Sequence, residues 1–159
     1  MWKLTQIQLL FGLLLSVVAP ARAVTITAPV TITLERSTEA APSSVNLKAT
    51  LKNVSGKNIT IGVGGPLMDY EIIVTNAEHI PVPLSKRGLK VFSKNQIRST
   101  MYVAVTLRPG ETSVETWSID DLFDFATRPG RYFITVRRKI GNEITGQVIS
   151  SNVLGVSLK

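Results

Sequence analysis

Apolar and polar residues alternate along most of the chain after its first 23 residues. The clearest case is the segment 44–52, in which every second residue is apolar, namely Val45, Leu47, Ala49 and Leu51. The residues between them are polar or charged. A period of two places the apolar side chains on one face of a β-strand and the polar ones on the other. The pattern therefore predicts a strand with one face in a core and one in water.

The same period, with many β-branched residues, predicts seven more strands, near 24–35, 58–63, 70–75, 100–107, 113–119, 131–139 and 147–158. Clusters of Gly, Pro, Asn and Ser separate these segments and favour chain reversals. One of them, 62–66, is interpreted as a turn from strand to strand, because it lacks the Gly-Lys-Ser/Thr ending of a phosphate loop. We expect an all-β protein, an immunoglobulin-like antiparallel β-sandwich of about 7–9 strands.

Two segments interrupt the alternation. Residues 85–99, SKRGLKVFSKNQIRS, are compatible with a short helix or with a long loop. Residues 120–126 are expected to form a brief helical turn, capped by Asp120 or Asp121, that closes one end of the core. Asp120 is suited to accept hydrogen bonds from backbone amides at this corner, and the aromatic residues of the turn can fill the open end of the core.

The first 23 residues have the three parts of a secretory signal peptide. Lys3 precedes an apolar run over 7–18, and Ala21-Arg22-Ala23 provides small residues for cleavage. The run is shorter than the roughly 20 apolar residues of a membrane helix. We expect a helical signal peptide over 1–23, with an uncleaved membrane anchor as the alternative.

Cleavage after Ala23 would leave one domain over 24–159 without a stable membrane span. Its localisation would be secreted or periplasmic. The chain contains no cysteine, so disulfides cannot stabilise it. Of its 18 basic residues only Lys3 and Arg22 precede the cleavage point, and the 11 acidic residues all follow it, which leaves a formal charge of +5. This charge favours an acidic protein or an anionic cell-surface component as partner. Export argues against nucleic acid.

Two stretches carry a resemblance to known families. The run 107–136, LRPGETSVETWSIDDLFDFATRPGRYFITV, has a Pro-Gly-Glu turn, an Asp-Leu-Phe-Asp corner and a Pro-Gly-x-Tyr strand start. Together with 47–61, LKATLKNVSGKNITI, it resembles small secreted β-sandwiches, namely the propeptide sandwich of deuterolysin-like metallopeptidases and the bacterial intracellular proteinase inhibitor family. The resemblance implies an immunoglobulin-like sandwich, and by analogy an inhibitory role.

No residue pattern points to catalysis. The metallopeptidase resemblance does not extend to a zinc site, because the sequence has no His-Glu-x-x-His motif and a single histidine, His79, which is expected on a surface turn. Asp120, Asp121 and Asp124 lack the spacing of a calcium loop and are interpreted as capping and solvated residues. We therefore expect no catalytic, cofactor or metal site.

The basic segment is the candidate partner-binding site, and its residues are Lys86, Arg87, Lys90, Phe92, Lys94 and Arg98. A solvated surface is the alternative interpretation. The triplet Arg137-Arg138-Lys139 is also basic, but alternation places Arg138 on the opposite face of its strand from its two neighbours. The sequence predicts an exported non-catalytic binding module, or alternatively an inhibitor or chaperone-like partner of an exported peptidase. An enzyme of another type is a third hypothesis, and the oligomeric state is left open.

Overall fold

The computed structural model describes residues 28–37, 44–97, 103–125, 129–141 and 146–158. These ranges contain nine strands and two helices: β1 (Val30–Arg36), β2 (Asn46–Asn53), β3 (Ile59–Val63), α1 (Pro66–Asp69), β4 (Glu71–Asn76), α2 (Lys86–Ile97), β5 (Val103–Leu107), β6 (Thr112–Ser118), β7 (Gly130–Ile140), β8 (Gln147–Ser150) and β9 (Leu154–Leu158). The pairings between the strands are antiparallel. The all-β prediction is confirmed, whereas the segment 1–23 lies outside the described residues.

The strands form three sheets, in the orders β1-β2-β6, β3-β5 and β4-β7-β8, with β9 also paired to β7. β8 and β9 pair one after the other with the long strand β7. The strand predicted over 147–158 is therefore interrupted at 151–153. In this interruption Asn152 turns its side chain to β1. Its Oδ1 accepts a hydrogen bond from the Leu34 amide at 2.7 Å, and its Nδ2 donates to the Leu34 carbonyl at 2.9 Å. The break thereby links two sheets.

β2 leads into β3 and β5 leads into β6 through a bend organised around Asn53. This side chain is 0% exposed. Its Nδ2 donates to the carbonyls of Lys57 at 2.7 Å and Leu107 at 2.9 Å, and its Oδ1 accepts from the Ser55 amide at 2.9 Å. A buried amide whose oxygen and nitrogen both have hydrogen-bond partners avoids the cost of an unsatisfied group. The chain reversal predicted between these two strands is wrong. Lys52 lies opposite Thr112 and Ile59 opposite Leu107, so β3 continues in the direction of β2 after a bend, and Asn53 itself belongs to the core.

The inward faces of the sheets share one hydrophobic core. Val45, Leu47, Ala49 and Leu51 are all buried, which confirms the alternation in 44–52. The corner after β6 closes the core as expected. Asp120 Oδ1 accepts a hydrogen bond from the Val45 amide at 2.7 Å.

Aromatic residues fill the end of the core beside this corner. Phe123, Phe125 and Tyr132 are buried, and the rings of Phe125 and Tyr132 meet edge to face with centroids 5.1 Å apart. Edge-to-face contacts of this kind add to the stabilisation that burial provides. The expectation that aromatic residues close this end of the core is confirmed.

The segment 85–99 contains a helix rather than a long loop. Ser85 caps α2, because its Oγ accepts a hydrogen bond from the Gly88 amide at 3.0 Å while it donates to the Asp121 carbonyl. Gly88 lies directly against the corner after β6, where a Cβ atom would come within 2.1 Å of the Leu122 carbonyl oxygen. A residue without a side chain therefore allows the helix to pack this closely.

The expectation that 62–66 connects two strands directly is wrong. This segment leads into α1, a single helical turn. Asp69 Oδ2 accepts hydrogen bonds from the amides of Gly64 at 2.6 Å and Gly65 at 2.9 Å. Proline at the first helical position and a carboxylate that binds the preceding amides both favour this turn. The alternation of apolar and polar residues does not show either feature.

Candidate functional site

A cleft of about 500 Å³ lies where β4 begins, between the two helices and the end of β7. This volume is within the range of sites that bind small molecules or peptide side chains. Apolar side chains from distant parts of the sequence line it, among them Leu67, Ile72, Leu84, Phe92, Phe123 and Val148. The cleft is therefore a tertiary feature with a mainly apolar wall.

The register of β4 against β7 creates the opening. The pairing begins at Glu71 and Arg137, so the end of β7 beyond this pair continues past the start of β4. There β7 keeps β8 as its neighbour, with Arg138 opposite Ile149. The chain before β4 turns away into α1 instead of extending the sheet. The end of β7 therefore extends beyond β4 and leaves a space that a longer β4 would fill.

A polar cluster made by Tyr70, Glu115 and Arg138 lies at the inner side of the cleft. Arg138 is 4% exposed, and its guanidinium lies 4.7 Å from the centroid of the Tyr70 ring. Its Nη1 is 3.3 Å from Glu115 Oε1, and its Nη2 donates to the carbonyl of Gly62. The Tyr70 hydroxyl donates to the same Glu115 oxygen at 3.1 Å. The cluster thus joins β6, β7, β3 and the start of β4.

Electrostatics within the cluster keep Tyr70 neutral. Burial raises the pKa of the Tyr70 hydroxyl far above its ordinary value, the Arg138 charge acts in the opposite direction, and the Glu115 charge adds to the increase. A neutral hydroxyl can donate its proton to the carboxylate, whereas a phenolate could not. The arrangement is suited to holding strands together, because each charged group faces a partner of opposite charge or a polar group.

Three of the cations predicted for partner binding have described side chains, and none of these three lines the cleft. Lys86, Arg87 and Lys90 are on the exposed side of α2. Arg87 Nη1 forms an ion pair with Asp121 Oδ2 at 2.5 Å, and both side chains are exposed. This contact joins α2 to the corner after β6 and gives Arg87 a structural partner. An exposed pair of this kind contributes little to stability.

Phe92 is the member of the predicted set that reaches the cleft. It is 41% exposed and forms part of the apolar wall. The side chain of Lys94 and all of Arg98 lie outside the described residues. The sequence singled out Phe92 as an exposed aromatic residue among lysines, and the structure shows that it lies over an opening.

The sequence-based candidates did not include Tyr70, Glu115 or the apolar lining outside α2. The sequence did distinguish Arg138, since alternation placed its side chain on the other face of the strand from Arg137 and Lys139. The structure confirms that placement, with Arg138 buried and both Arg137 and Lys139 exposed. An arginine at a core position of a strand requires a buried acceptor. Its partner, Glu115, is 23 residues away along the chain. Alternation within β6 places Glu115 on the same face as the buried Trp117, so the sequence carried a similar signal for it.

The other candidate residues have structural roles. His79 is exposed in the turn after β4 with φ of 61°, and its ring stacks on Phe133 with centroids 5.6 Å apart. The surface-turn prediction is confirmed. Among the described residues no group of three or more His, Cys, Asp or Glu side chains could hold a metal ion. Within the same ranges no helix is long and apolar enough to cross a membrane.

Comparison with known proteins does not assign the chain to a family. No protein-family model matches it, and no curated protein matches it at a significant level. The cleft and its neighbouring polar cluster are therefore the features from which a function can be argued.

Proposed function

We propose that this chain is an exported, non-catalytic binding module with an immunoglobulin-like β-sandwich fold, and that the cleft at the start of β4 is its binding site. The strand orders support the fold. β1-β2-β6 corresponds to strands A, B and E of such a sandwich, and β4-β7 with β8 and β9 corresponds to C, F and G. The pair β3-β5 is an addition to that plan.

Export is proposed from the leader-like pattern over 1–23. A core that encloses residues from all three sheets agrees with a domain that needs no disulfides. The location would be secreted or periplasmic, and the partner would be another exported protein or an anionic cell-surface component. The exposed lysines of α2 would then contribute a general attraction for negative charge.

The cleft is the single observation that carries the binding proposal. Its wall is mainly apolar, as in sites that bind by burial. Charged groups near it already have partners within the fold. Arg138 faces Glu115 at 3.3 Å, and Arg137 Nη1 lies 3.7 Å from Glu71 Oε2. Groups committed to such contacts serve better to shape a site than to transfer protons, so we favour binding over catalysis.

A matched pair of substitutions tests the proposal. Val148 lines the cleft and is 60% exposed, while Val114 is 52% exposed on β6 and lies away from it. Both are valines on strands, so arginine at either position disturbs stability to a similar extent. The protein, expressed from its complete coding sequence, is used to capture partners from the extracytoplasmic fraction of its own source.

We expect Val148→Arg to reduce partner capture about tenfold or more, because it places a charged chain in an apolar wall. Val114→Arg should capture as the unmodified protein does. Equal capture by both variants would show that the cleft is not the binding site. Capture of a peptidase whose activity falls on binding would favour the inhibitor hypothesis. A double variant, Lys86→Glu with Lys90→Glu, measures the contribution of the exposed face of α2.

A further inference from the structure

Helix α2 carries two large apolar side chains on its solvent side. Leu89 is 54% exposed and Phe92 is 41% exposed. They are three residues apart, which makes them neighbours on one side of the helix. Phe92 forms part of the cleft wall, whereas Leu89 is not among the residues that line the cleft. The apolar side of the helix therefore extends beyond the cleft into solvent.

Cations occupy the adjoining side of the same helix. A helix turns by about 100° per residue, so Lys86 and Lys90 lie about 60° and 100° to one side of Leu89, while Phe92 lies about 60° to the other side. Both lysines are exposed. The opposite side of the helix packs on the corner after β6 through Gly88, which is buried. The solvent side of α2 thus has an apolar half and a basic half.

The carboxylates around α2 leave these two lysines unpaired. The helix itself contains no acidic residue. At the corner after β6, Asp121 is paired with Arg87, and the exposed Asp124 forms no ion pair with a described residue. The carboxylate of α1 is bound by two backbone amides. Among the described residues neither Lys86 nor Lys90 has an ion-pair or hydrogen-bond partner, so both are available to an anion.

A helix with basic and exposed apolar residues side by side suits the surface of an anionic bilayer. The apolar side chains enter the boundary between headgroups and acyl chains, and the long stems of lysines keep their ammonium groups near the lipid phosphates. The cap at Ser85 and the close packing at Gly88 hold α2 on the domain with this side outward. An acidic protein would pair with the lysines without requiring Leu89.

We propose that the solvent side of α2 binds the surface of an anionic lipid bilayer. Leu89 and Phe92 enter the boundary of the acyl chains, and Lys86 and Lys90 contact phosphate groups of the lipids. Two apolar side chains and two cations give reversible attachment, unlike a spanning helix. The inference rests on the proposed function, because it identifies the anionic cell-surface component as a lipid bilayer.

A fluorescent label on α2 provides the test. The chain has no cysteine, so Ser93→Cys gives a single labelling position, exposed on this helix between its apolar and basic halves. The full chain carries a polarity-sensitive dye there and is mixed with vesicles of phosphatidylglycerol and phosphatidylcholine in equal amounts. We expect the emission to move to shorter wavelength with these vesicles and little with phosphatidylcholine alone. The signal comes from α2 itself, whichever other part of the chain contacts the vesicles.

The matched label position is Ser157→Cys. Ser157 is also an exposed serine, and it lies opposite Arg131 on β9, whereas the cleft beside α2 lies at the other end of β7, at Arg137. The dye at Ser157→Cys should give no change in emission with either kind of vesicle. This comparison separates binding through α2 from unspecific attachment of the domain.

Substitutions in the labelled Ser93→Cys chain test the two halves of the surface. Lys86→Glu with Lys90→Glu should raise the lipid concentration at half of the full emission change about tenfold or more. Leu89→Gln should raise it about fivefold or more, because the apolar contact with the acyl boundary is lost. Circular dichroism verifies that each variant folds.

The control for the lysines is Lys52→Glu with Lys57→Glu. It changes the net charge by the same amount on exposed lysines. These lysines lie at the end of β2 near Asn53, while the corner that holds α2 contacts the other end of β2, at Val45. This double variant should change the half-point less than about threefold.

The bilayer inference is overturned if the dye at Ser93→Cys does not respond to the anionic vesicles, if it responds equally to phosphatidylcholine vesicles, or if the control double variant weakens binding as much as Lys86→Glu with Lys90→Glu. A response to polyglutamate without a response to vesicles also overturns it and assigns this side of α2 to acidic proteins. Such results leave the proposed function intact as long as Val148→Arg still reduces partner capture. Unchanged capture by Val148→Arg is instead the failure of the proposed function.

Discussion

Asn53 and Arg138 are both polar side chains buried in the core, 0% and 4% exposed, yet they are accommodated in different ways. Asn53 is neutral, and its amide group bonds to backbone and side-chain groups at the bend that joins β2 to β3 and β5 to β6. Arg138 is charged, and its neighbours are a carboxylate, an aromatic ring and a carbonyl from separate elements. The first arrangement holds a bend, and the second holds the sheets together beside the cleft.

The comparison shows that the partners of a buried polar group can come from residues nearby in the sequence or from distant strands. A bend presents free backbone groups within a few residues, so a single amide can satisfy them. A buried guanidinium needs a counter-charge, and no residue near it in the sequence supplies one. We therefore expect the Arg138 region to be more sensitive to substitution than the Asn53 region.

The largest effect is expected for Arg138→Met. Removal of the cation leaves the Glu115 carboxylate buried without its partner, which should lower the free energy of unfolding by about 3–5 kcal/mol. Urea denaturation measures this change. Adding Glu115→Gln to the same chain removes the unpaired charge and should recover part of the loss. A loss below about 1 kcal/mol for Arg138→Met would show that water in the cleft replaces the arginine.

Asn53→Ala is expected to have the next largest effect. It leaves the carbonyls of Lys57 and Leu107 without the Asn53 donor, at a cost of roughly 2 kcal/mol in the free energy of unfolding. Ser55→Ala is the control. Its hydroxyl, which donates to Asn53 Oδ1 at 2.8 Å, is nearer to solvent, so its loss should matter less. If the two variants are equally stable in urea, the amide of Asn53 is not what holds the bend.

Tyr70→Phe should have a smaller effect at neutral pH. It removes the hydroxyl that donates to Glu115 at 3.1 Å but keeps the ring beneath Arg138 and against Trp117. A loss of about 1 kcal/mol in the free energy of unfolding is expected, since Arg138 still satisfies the carboxylate. Thermal and urea denaturation measure it. A loss as large as that of Arg138→Met would contradict the view that the arginine is the principal partner of Glu115.

Tyr70→Phe also predicts how the free energy of unfolding depends on pH, with no change expected near neutral pH. In the folded protein burial raises the pKa of Tyr70 far above 10, its ordinary value, whereas the unfolded chain ionises near that value. The folding contribution of the neutral hydroxyl is therefore complete below pH 10 and decreases as the pH rises above it. The stability advantage of the unmodified protein over Tyr70→Phe should become smaller with increasing pH in urea titrations. An advantage that grows above pH 10 would contradict this.

Local signals predicted much of the fold. Period-two alternation placed the strand residues on their correct faces, because side-chain direction in a strand depends only on position along it. It also separated Arg138 from Arg137 and Lys139 on the two faces of their strand. The helix in 85–99 remained one of two interpretations, although Ser85 and Gly88 prove decisive for its start and its packing. Helix α1 was not predicted. The Asp69 carboxylate that stabilises it binds the amides of Gly64 and Gly65, and the alternation of apolar and polar residues does not indicate this contact.

The cleft could not be predicted in this way. Ile72, Phe92 and Val148 come from distant parts of the sequence and meet only after the strands have paired. The opening depends on β4 beginning opposite Arg137, short of the end of β7. Strand register of this kind is selected by the summed packing of whole faces and leaves no mark at any single residue.

Alternation, turn residues and composition by themselves determined that the protein is built of antiparallel strands, without disulfides, and which residues of 44–52 face its core. These properties follow from local geometry and residue type. Tertiary structure alone decided that Glu115 neutralises Arg138, that Asn152 binds β1, and that a cleft opens beside Ile72. Each of these depends on where separate strands meet, and that position is set by the lowest free energy of the whole packed core rather than by any one segment.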